Sequence, residues 1–162
     1  MLRITRQTDY GVILLTHLAA HSGEVYNAPE LAADAGIPLP MAGKVLKTLT
    51  RAGILHSHRG ATGGYSLARP PAEISVAQIL TALEGPIALT ECIALGPGEC
   101  DQEVGCPTRG NWQRINLAVH QALEGVSLAD MTRPAARQPG FRRSIPLELR
   151  LPVLGTVGPE EH

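Results

Sequence analysis

Three cysteines carry the chemistry that stands out first. Cys92, Cys100 and Cys106 fall inside a 15-residue window, with seven and five residues between them. An odd number of thiols cannot all pair within one chain, so a complete disulfide framework is excluded. Gly96, Pro97, Gly98, Gly105 and Pro107 lie among and beside them, which makes the segment a loop able to wrap a cofactor. Thiolates at irregular spacing in one loop suit an iron–sulfur cluster, because sulfur fixes the iron and offsets its charge. Zinc is an alternative, since it also takes thiolates, although neither a paired CxxC ribbon nor a finger spacing is present. Separate free thiols, one of them sensitive to oxidants, are another alternative. Three ligands are one short of a full set, so a fourth must come from elsewhere or from a small molecule.

No catalytic constellation accompanies the thiols, and an enzyme is not expected. His17, His21 and His120 read as solvated or structural residues of helices, and His56 and His58 fall in an expected hairpin. The glycine-rich run Gly60-Ala61-Thr62-Gly63-Gly64 sits between two expected strands rather than ahead of a helix, so it does not match a nucleotide-phosphate cradle.

The elements around the loop follow from apolar periodicity and caps. Thr8 is read as the cap of a first helix, with Asp9 in its first turn and Val12, Leu15 and Leu18 on its apolar face to about His21. Asn27 caps a second helix, with Glu30 placed for a capping box and Gly36 as its stop. A third helix is expected over 40–52, with Leu39, Ala42, Val45, Leu46 and Leu49 as its apolar stripe. Met41, Lys44, Thr48 and Arg51 lie on another face. Two short helices around a glycine turn form a helix-turn-helix pattern. Strands are expected at 54–58 and 65–68, joined through Arg59 and the glycine run, and such a hairpin is a wing. Ser75 caps a fourth helix closed by Gly85 and Pro86. After the cysteine loop a helix from Asn111 to about Leu123 carries the stripe Trp112, Ile115, Val119 and Ala122, and one further turn covers 127–131.

The fold class is therefore mainly α with a small β-hairpin wing: a winged helix-turn-helix plus a long helix. The expected divisions are a DNA-binding domain over 1–86, the cysteine loop over 87–110, the long helix over 111–131, and a flexible proline- and arginine-containing tail over 132–162. Aromatic residues make up only 3% of the chain, so the core must be aliphatic. No apolar run reaches the roughly 20 residues of a membrane span, and the N-terminus lacks a secretory pattern. A cytoplasmic protein with no membrane partner is expected. The net charge of −1 hides an asymmetry: about +3 over residues 1–70, −6 over 71–131 and +2 over 132–162. A polyanion would meet the first part.

These residues meet in a known family. Arg59-Gly60-Ala61-Thr62-Gly63-Gly64-Tyr65-Ser66-Leu67, with Leu31-Ala32, Gly36-Ile37, Leu80, Leu83-Glu84-Gly85 and the three-cysteine loop, resembles the IscR/NsrR-type winged-helix iron–sulfur regulators. Residues 82–92 and 111–116 are similar to the branch that regulates SUF-type iron–sulfur cluster assembly. The resemblance covers about residues 1–131. It implies a homodimer paired through the helix bearing Trp112, Ile115, Val119 and Ala122. It also implies a cluster, 2Fe–2S rather than 4Fe–4S, on Cys92, Cys100 and Cys106. The fourth ligand varies within the family. One pattern puts a histidine three residues after the last cysteine, but that position is Arg109 here. Another uses an acid at the start of the first helix, supplied across the dimer, and Asp9 matches it.

The expected partner is double-stranded DNA. The helix at 40–52 would enter the major groove, with Met41 and Lys44 towards base edges and Lys47 and Arg51 towards phosphates. In the wing, Arg59 would enter the minor groove, and His56 and His58 would donate to phosphates. A dimer of such heads reads a pseudo-palindrome. The expected function is a transcription regulator, such as a repressor, that senses the cluster. A metal-free thiol sensor and a zinc-stabilised repressor are the alternatives.

Overall fold

The structure, a computed structural model, describes residues 4–60, 63–90, 93 and 106–133. Cys92, Cys100 and the tail beyond Arg133 lie outside them. The described elements are α1 (Arg6–Ala20), α2 (Ala28–Asp34), α3 (Leu39–Arg51), β1 (Leu55–His58), β2 (Gly64–Leu67), a 3-10 turn at Pro71–Glu73, α4 (Val76–Glu84), α5 (Arg109–Glu124) and α6 (Leu128–Met131). The mainly helical winged helix-turn-helix read from sequence is the fold found.

The core is aliphatic. Leu14, Leu15 and Leu18 of α1 meet Leu31 of α2, Ala42, Val45, Leu46 and Leu49 of α3, and Ile54, Leu55, Ile74, Ile79 and Leu128. Full burial of one such leucine contributes about 1.5–3 kcal/mol, which outweighs any single helix-propensity term. Gly11 lets α1 approach α4, because a Cβ there would collide with Leu83.

Asn27 and Glu30 form the expected capping box, with Glu30 N donating to Asn27 Oδ1 at 2.9 Å and Asn27 N donating to Glu30 Oε2 at 3.1 Å. Ser75 caps α4 as read, and Gln78 completes a box the sequence reading had not used. A further box, Ser127 with Asp130, opens α6. Ile74 O accepts from Leu128 N at 2.7 Å, and Val126 O accepts from Val76 N at 2.9 Å, so the starts of α4 and α6 are joined.

Three details differ from expectation. The cap of α1 is Thr5, whose side chain accepts from Thr8 N, and Thr8 lies inside the helix. Thr8 is fully buried and its hydroxyl is taken by Glu84, which leaves the capping role to the residue three earlier. Leu39 is 47% exposed, because the side chain of a first helical residue points back past the helix end, away from the core that Ala42 reaches. The long helix begins at Arg109 rather than Asn111. Among the described residues no helix is long and apolar enough to cross a membrane.

Candidate nucleic-acid interface and sensor site

One face of α3 is buried through Ala42, Val45, Leu46 and Leu49, and the opposite face carries exposed cations. Pro40, Gly43, Lys44, Lys47, Thr48 and Arg51 line an open groove of about 450 Å³ along that face. Their spacing of three and four residues puts them on one stripe. No acid stands in the first turn of α3, and its Pro38 cap makes no side-chain hydrogen bond. Pro40 carries no N–H, and Met41 N and Ala42 N both donate to Pro38 O, so the exposed cations rather than free backbone N–H groups give this face its pull on an anion. Met41 is half-buried against the core, which leaves Lys44 as the long exposed side chain of that turn.

The wing extends from the end of α3. Ile54 N donates to Leu49 O at 3.0 Å, and Ala68 N donates to Ile54 O at 3.0 Å. β1 and β2 pair antiparallel, Leu55 opposite Leu67 and His58 opposite Gly64. His56, His58 and Arg59 are all exposed, and His58 Nε2 lies 2.8 Å from Ser66 Oγ. Tyr26 bridges to Tyr65 on the hairpin's other edge, through N–H to carbonyl contacts of 3.1 and 2.8 Å. Its hydroxyl donates to Glu24 at 2.6 Å. That bond holds the phenol in its neutral form, its pKa pushed up to about 12.

A local signal in the sequence had been averaged away. Residues 35–72 contain Lys44, Lys47, Arg51, Arg59 and Arg69 and no acid. The +3 counted over residues 1–70 therefore understates the positive charge of the helix-turn-helix and wing, because the acids that lower it lie in α1, α2 and the segment between them.

On the sensor side, Cys106 is the cysteine among the described residues, half-exposed just ahead of α5. Its sulfur lies 3.3 Å from the Thr108 hydroxyl. That hydroxyl first, then the backbone of Thr108 and Arg109, holds the thiol below its ordinary value of 9.0. The shift is towards the thiolate, the form that binds metal and reacts, and the half-exposed sulfur is accessible, so the described part of the loop fits a sulfur-ligated group. Asp9 is exposed in the first turn of α1. Among the described residues no three His, Cys, Asp or Glu side chains converge on a metal position. Cys92 and Cys100 are not among them.

The stripe on α5 is open. Trp112 is 41% and Ile115 45% exposed, Ala122 is exposed and Val119 half-buried. None of the 16 residues of α5 is fully buried. Another side of the helix meets the rest of the chain, where Asn116 Oδ1 accepts from Leu89 N at 3.1 Å.

Comparison with known proteins agrees with this architecture. The Rrf2 family, described as iron-dependent transcriptional regulators, matches residues 4–134. A helix-turn-helix-type transcriptional regulator of Mycobacterium tuberculosis is 36% identical over 134 residues, 80% of this chain and 81% of that protein. The protein rrf2 of Nitratidesulfovibrio vulgaris is 32% identical over 139 residues, 85% of this chain and 92% of that protein. Among solved structures, CymR, the global cysteine regulator of B. subtilis, superposes with a TM-score of 0.65 at 28% identity, over 82% of this chain and 97% of that one. IscR of T. potens superposes with a TM-score of 0.62 at 29% identity, over 85% and 92% respectively.

Proposed function

The chain belongs to the Rrf2 family of winged-helix transcriptional regulators, and from that premise we propose that it is an operator-binding homodimer switched by an iron–sulfur cluster on its cysteine loop. It is a DNA-binding regulator and not an enzyme. The finer reading concerns the signal and the target genes, which we take to be those of SUF-type iron–sulfur assembly, on the similarity of residues 82–92 and 111–116 to that branch.

The observation that carries the reading is Cys106, a thiol held towards its thiolate at the entrance to the helix with the open apolar stripe. Cys92, Cys100 and Cys106 would hold the cluster, and the partner subunit's Asp9 would complete the set. Bound there, the cluster supplies a redox-active centre whose state depends on its ligands and their hydrogen bonds. The Thr108 hydroxyl, then the backbone of Thr108 and Arg109, lower the pKa of the Cys106 thiol and so favour its thiolate form. A carboxylate donated across the dimer would couple the state of the loop to the distance between the two α3 helices. Those helices must sit about 34 Å apart, or a multiple of it, to read two half-sites. In this reading Lys44 lies towards base edges, with the half-buried Met41 beside it. Lys47, Arg51, His56 and His58 lie towards phosphates, and Arg59 lies in the minor groove.

The first test is anaerobic purification followed by an absorption spectrum, iron and acid-labile sulfide assays, and operator binding before and after removal of the cluster. Visible charge-transfer bands, matched iron and sulfide, and a changed operator affinity are expected. Cys92→Ala and Cys106→Ala should abolish the bands and the change in affinity. A colourless, iron-free protein after anaerobic reconstitution would instead favour the second reading, a thiol- or zinc-based regulator, which the same lowered Cys106 thiol supports.

A further inference from the structure

Among the described glycines of residues 4–86, Gly43 stands apart. Gly23, Gly36, Gly53, Gly60 and Gly85 have positive φ, where side chains are strained. At Gly11, Gly63 and Gly64 a Cβ would collide with Leu83, with the His58 carbonyl or with Tyr26. Gly43 has neither reason. Its backbone is right-handed helical, and a Cβ there would meet nothing within 4 Å. Glycine is the least stabilising residue after proline inside a helix. Nothing among the described residues therefore accounts for its presence in the first half of α3.

Its position does. Gly43 lies on the groove shared with Pro40, Lys44, Lys47, Thr48 and Arg51, in the part of a reading helix that approaches base edges. As the fifth residue of α3 its N–H belongs to the helical ladder, so the notch offers no free backbone donor to a phosphate. What it offers is C–H surface, from the glycine Cα and the Pro40 ring. The matching group in the major groove is the 5-methyl of thymine. We infer that Gly43 is a specificity-determining position of α3: its missing side chain leaves a notch that seats a thymine methyl, and a Cβ would exclude it.

This rests on α3 being the helix that enters the groove. Operator duplexes are selected from a random-sequence library with the full-length protein, and affinities are measured for the parent, Gly43→Ala, Gly43→Ser and Lys44→Ala. Each thymine of a half-site is then replaced in turn by deoxyuridine. Gly43→Ala should raise the melting temperature by about 4 °C yet weaken operator binding by about tenfold or more. One uracil replacement should weaken the parent by about threefold or more and leave Gly43→Ala unchanged. Parental affinity in both Gly43 variants overturns the proposal, and so does a loss of affinity with no sensitive thymine methyl. Undiminished binding by Lys44→Ala together with both Gly43 variants shows instead that α3 is not the reading helix. Failure to select any duplex removes the operator-binding reading itself.

Discussion

The hydroxyl of Thr8 donates to Oε1 of Glu84, 76 residues further along the chain. The same oxygen accepts from the Thr5 backbone N–H at 3.0 Å. Glu84 is the last residue of α4, where the helix dipole disfavours an acid. The Thr5 N–H and the Thr8 hydroxyl compensate by donating to it at the N-terminal end of α1, where the dipole favours negative charge. One carboxylate thus ties the end of α4 to the start of α1, beside the Thr5 cap. Asp9 follows Thr8 on one side of this joint, and the segment leading to Cys92 follows Glu84 on the other.

This joint should weaken in acid. Thr8 first, then Thr5, holds the Glu84 carboxyl below its ordinary value of 4.5. A depressed folded-state pKa contributes stability that is present above the unfolded value and lost as pH falls through the folded one. Parent and Glu84→Gln should therefore differ most in melting temperature near neutrality and converge as pH drops below the ordinary carboxylate value. Thr8→Val should cost about 1 kcal/mol at neutral pH, a value reduced for the exposure of its partner. A gap between parent and Glu84→Gln that stays constant from pH 7 to pH 3 would refute the assignment.

Thr5 and Thr8 show where sequence reading stops. Both are cap-forming residues ahead of the same apolar periodicity, and the choice between them is made by Glu84, a long-range partner that no local pattern reveals. Asn27 with Glu30 was legible because both halves of a capping box lie within one turn. The helix-turn-helix and wing were legible for the same reason, their signals being caps, glycine turns and short periods. Leu39 fits the helical stripe yet is exposed, because periodicity assigns a face and ignores where the helix ends. The acid-free run from 35 to 72 was present in the sequence and was lost by summing charge over too long a window. Two of the three cysteines, Cys92 and Cys100, lie outside the described residues.

The cations should separate by role under salt. Each phosphate contact removed lowers the slope of log affinity against log salt by about 0.9. Lys47→Ala and Arg51→Ala should each reduce the slope by about that amount and weaken all duplexes alike. Lys44→Ala should instead relax the preference at one base pair by about 1–3 kcal/mol. Titrations of operator and scrambled duplexes at several salt concentrations distinguish the two. Equal loss of slope from all three substitutions would make Lys44 a phosphate contact.

Gly64→Ala should act oppositely to Gly43→Ala. A Cβ at Gly64 would run into the Tyr26 carbonyl group and come within 3.0 Å of Asn27 N. These are backbone atoms of the bridge that ties the wing to the start of α2, so they cannot step aside as a side-chain tip can. Overpacking of this kind costs about 1–3 kcal/mol. Chemical denaturation should show that loss, and parental stability would mean that the Tyr26–Tyr65 bridge is dispensable.

Asp9 distinguishes a ligand from a helix-dipole partner. Its carboxylate has no hydrogen bond or ion pair among the described residues, and it lies in the first turn of α1. If it only complements the dipole, Asp9→Ala costs about 0.3–1 kcal/mol and leaves the reconstituted chromophore unaltered. As the fourth ligand, its loss should shift the visible bands and speed their decay in air, with little change in the melting of the cluster-free protein. Identical spectra and decay rates would remove Asp9 from the ligand set.

The apolar stripe of α5 makes a prediction that needs no cofactor. Ile115 is 45% exposed and lies on the same stripe as Trp112, while Leu117, 57% exposed, lies on a different side of the helix. A charge brought into the centre of a dimer interface must be desolvated without a partner, and a symmetric dimer places two copies of it there. Ile115→Glu should therefore sediment as a monomer at concentrations where the parent is dimeric. Leu117→Glu should sediment as the parent does. Operator binding should fall with the dimer, because two heads on one duplex gain effective concentration that separate heads lack. If both variants stay dimeric and bind DNA normally, the subunits pair through another surface, and the exposed stripe on α5 does not form the interface.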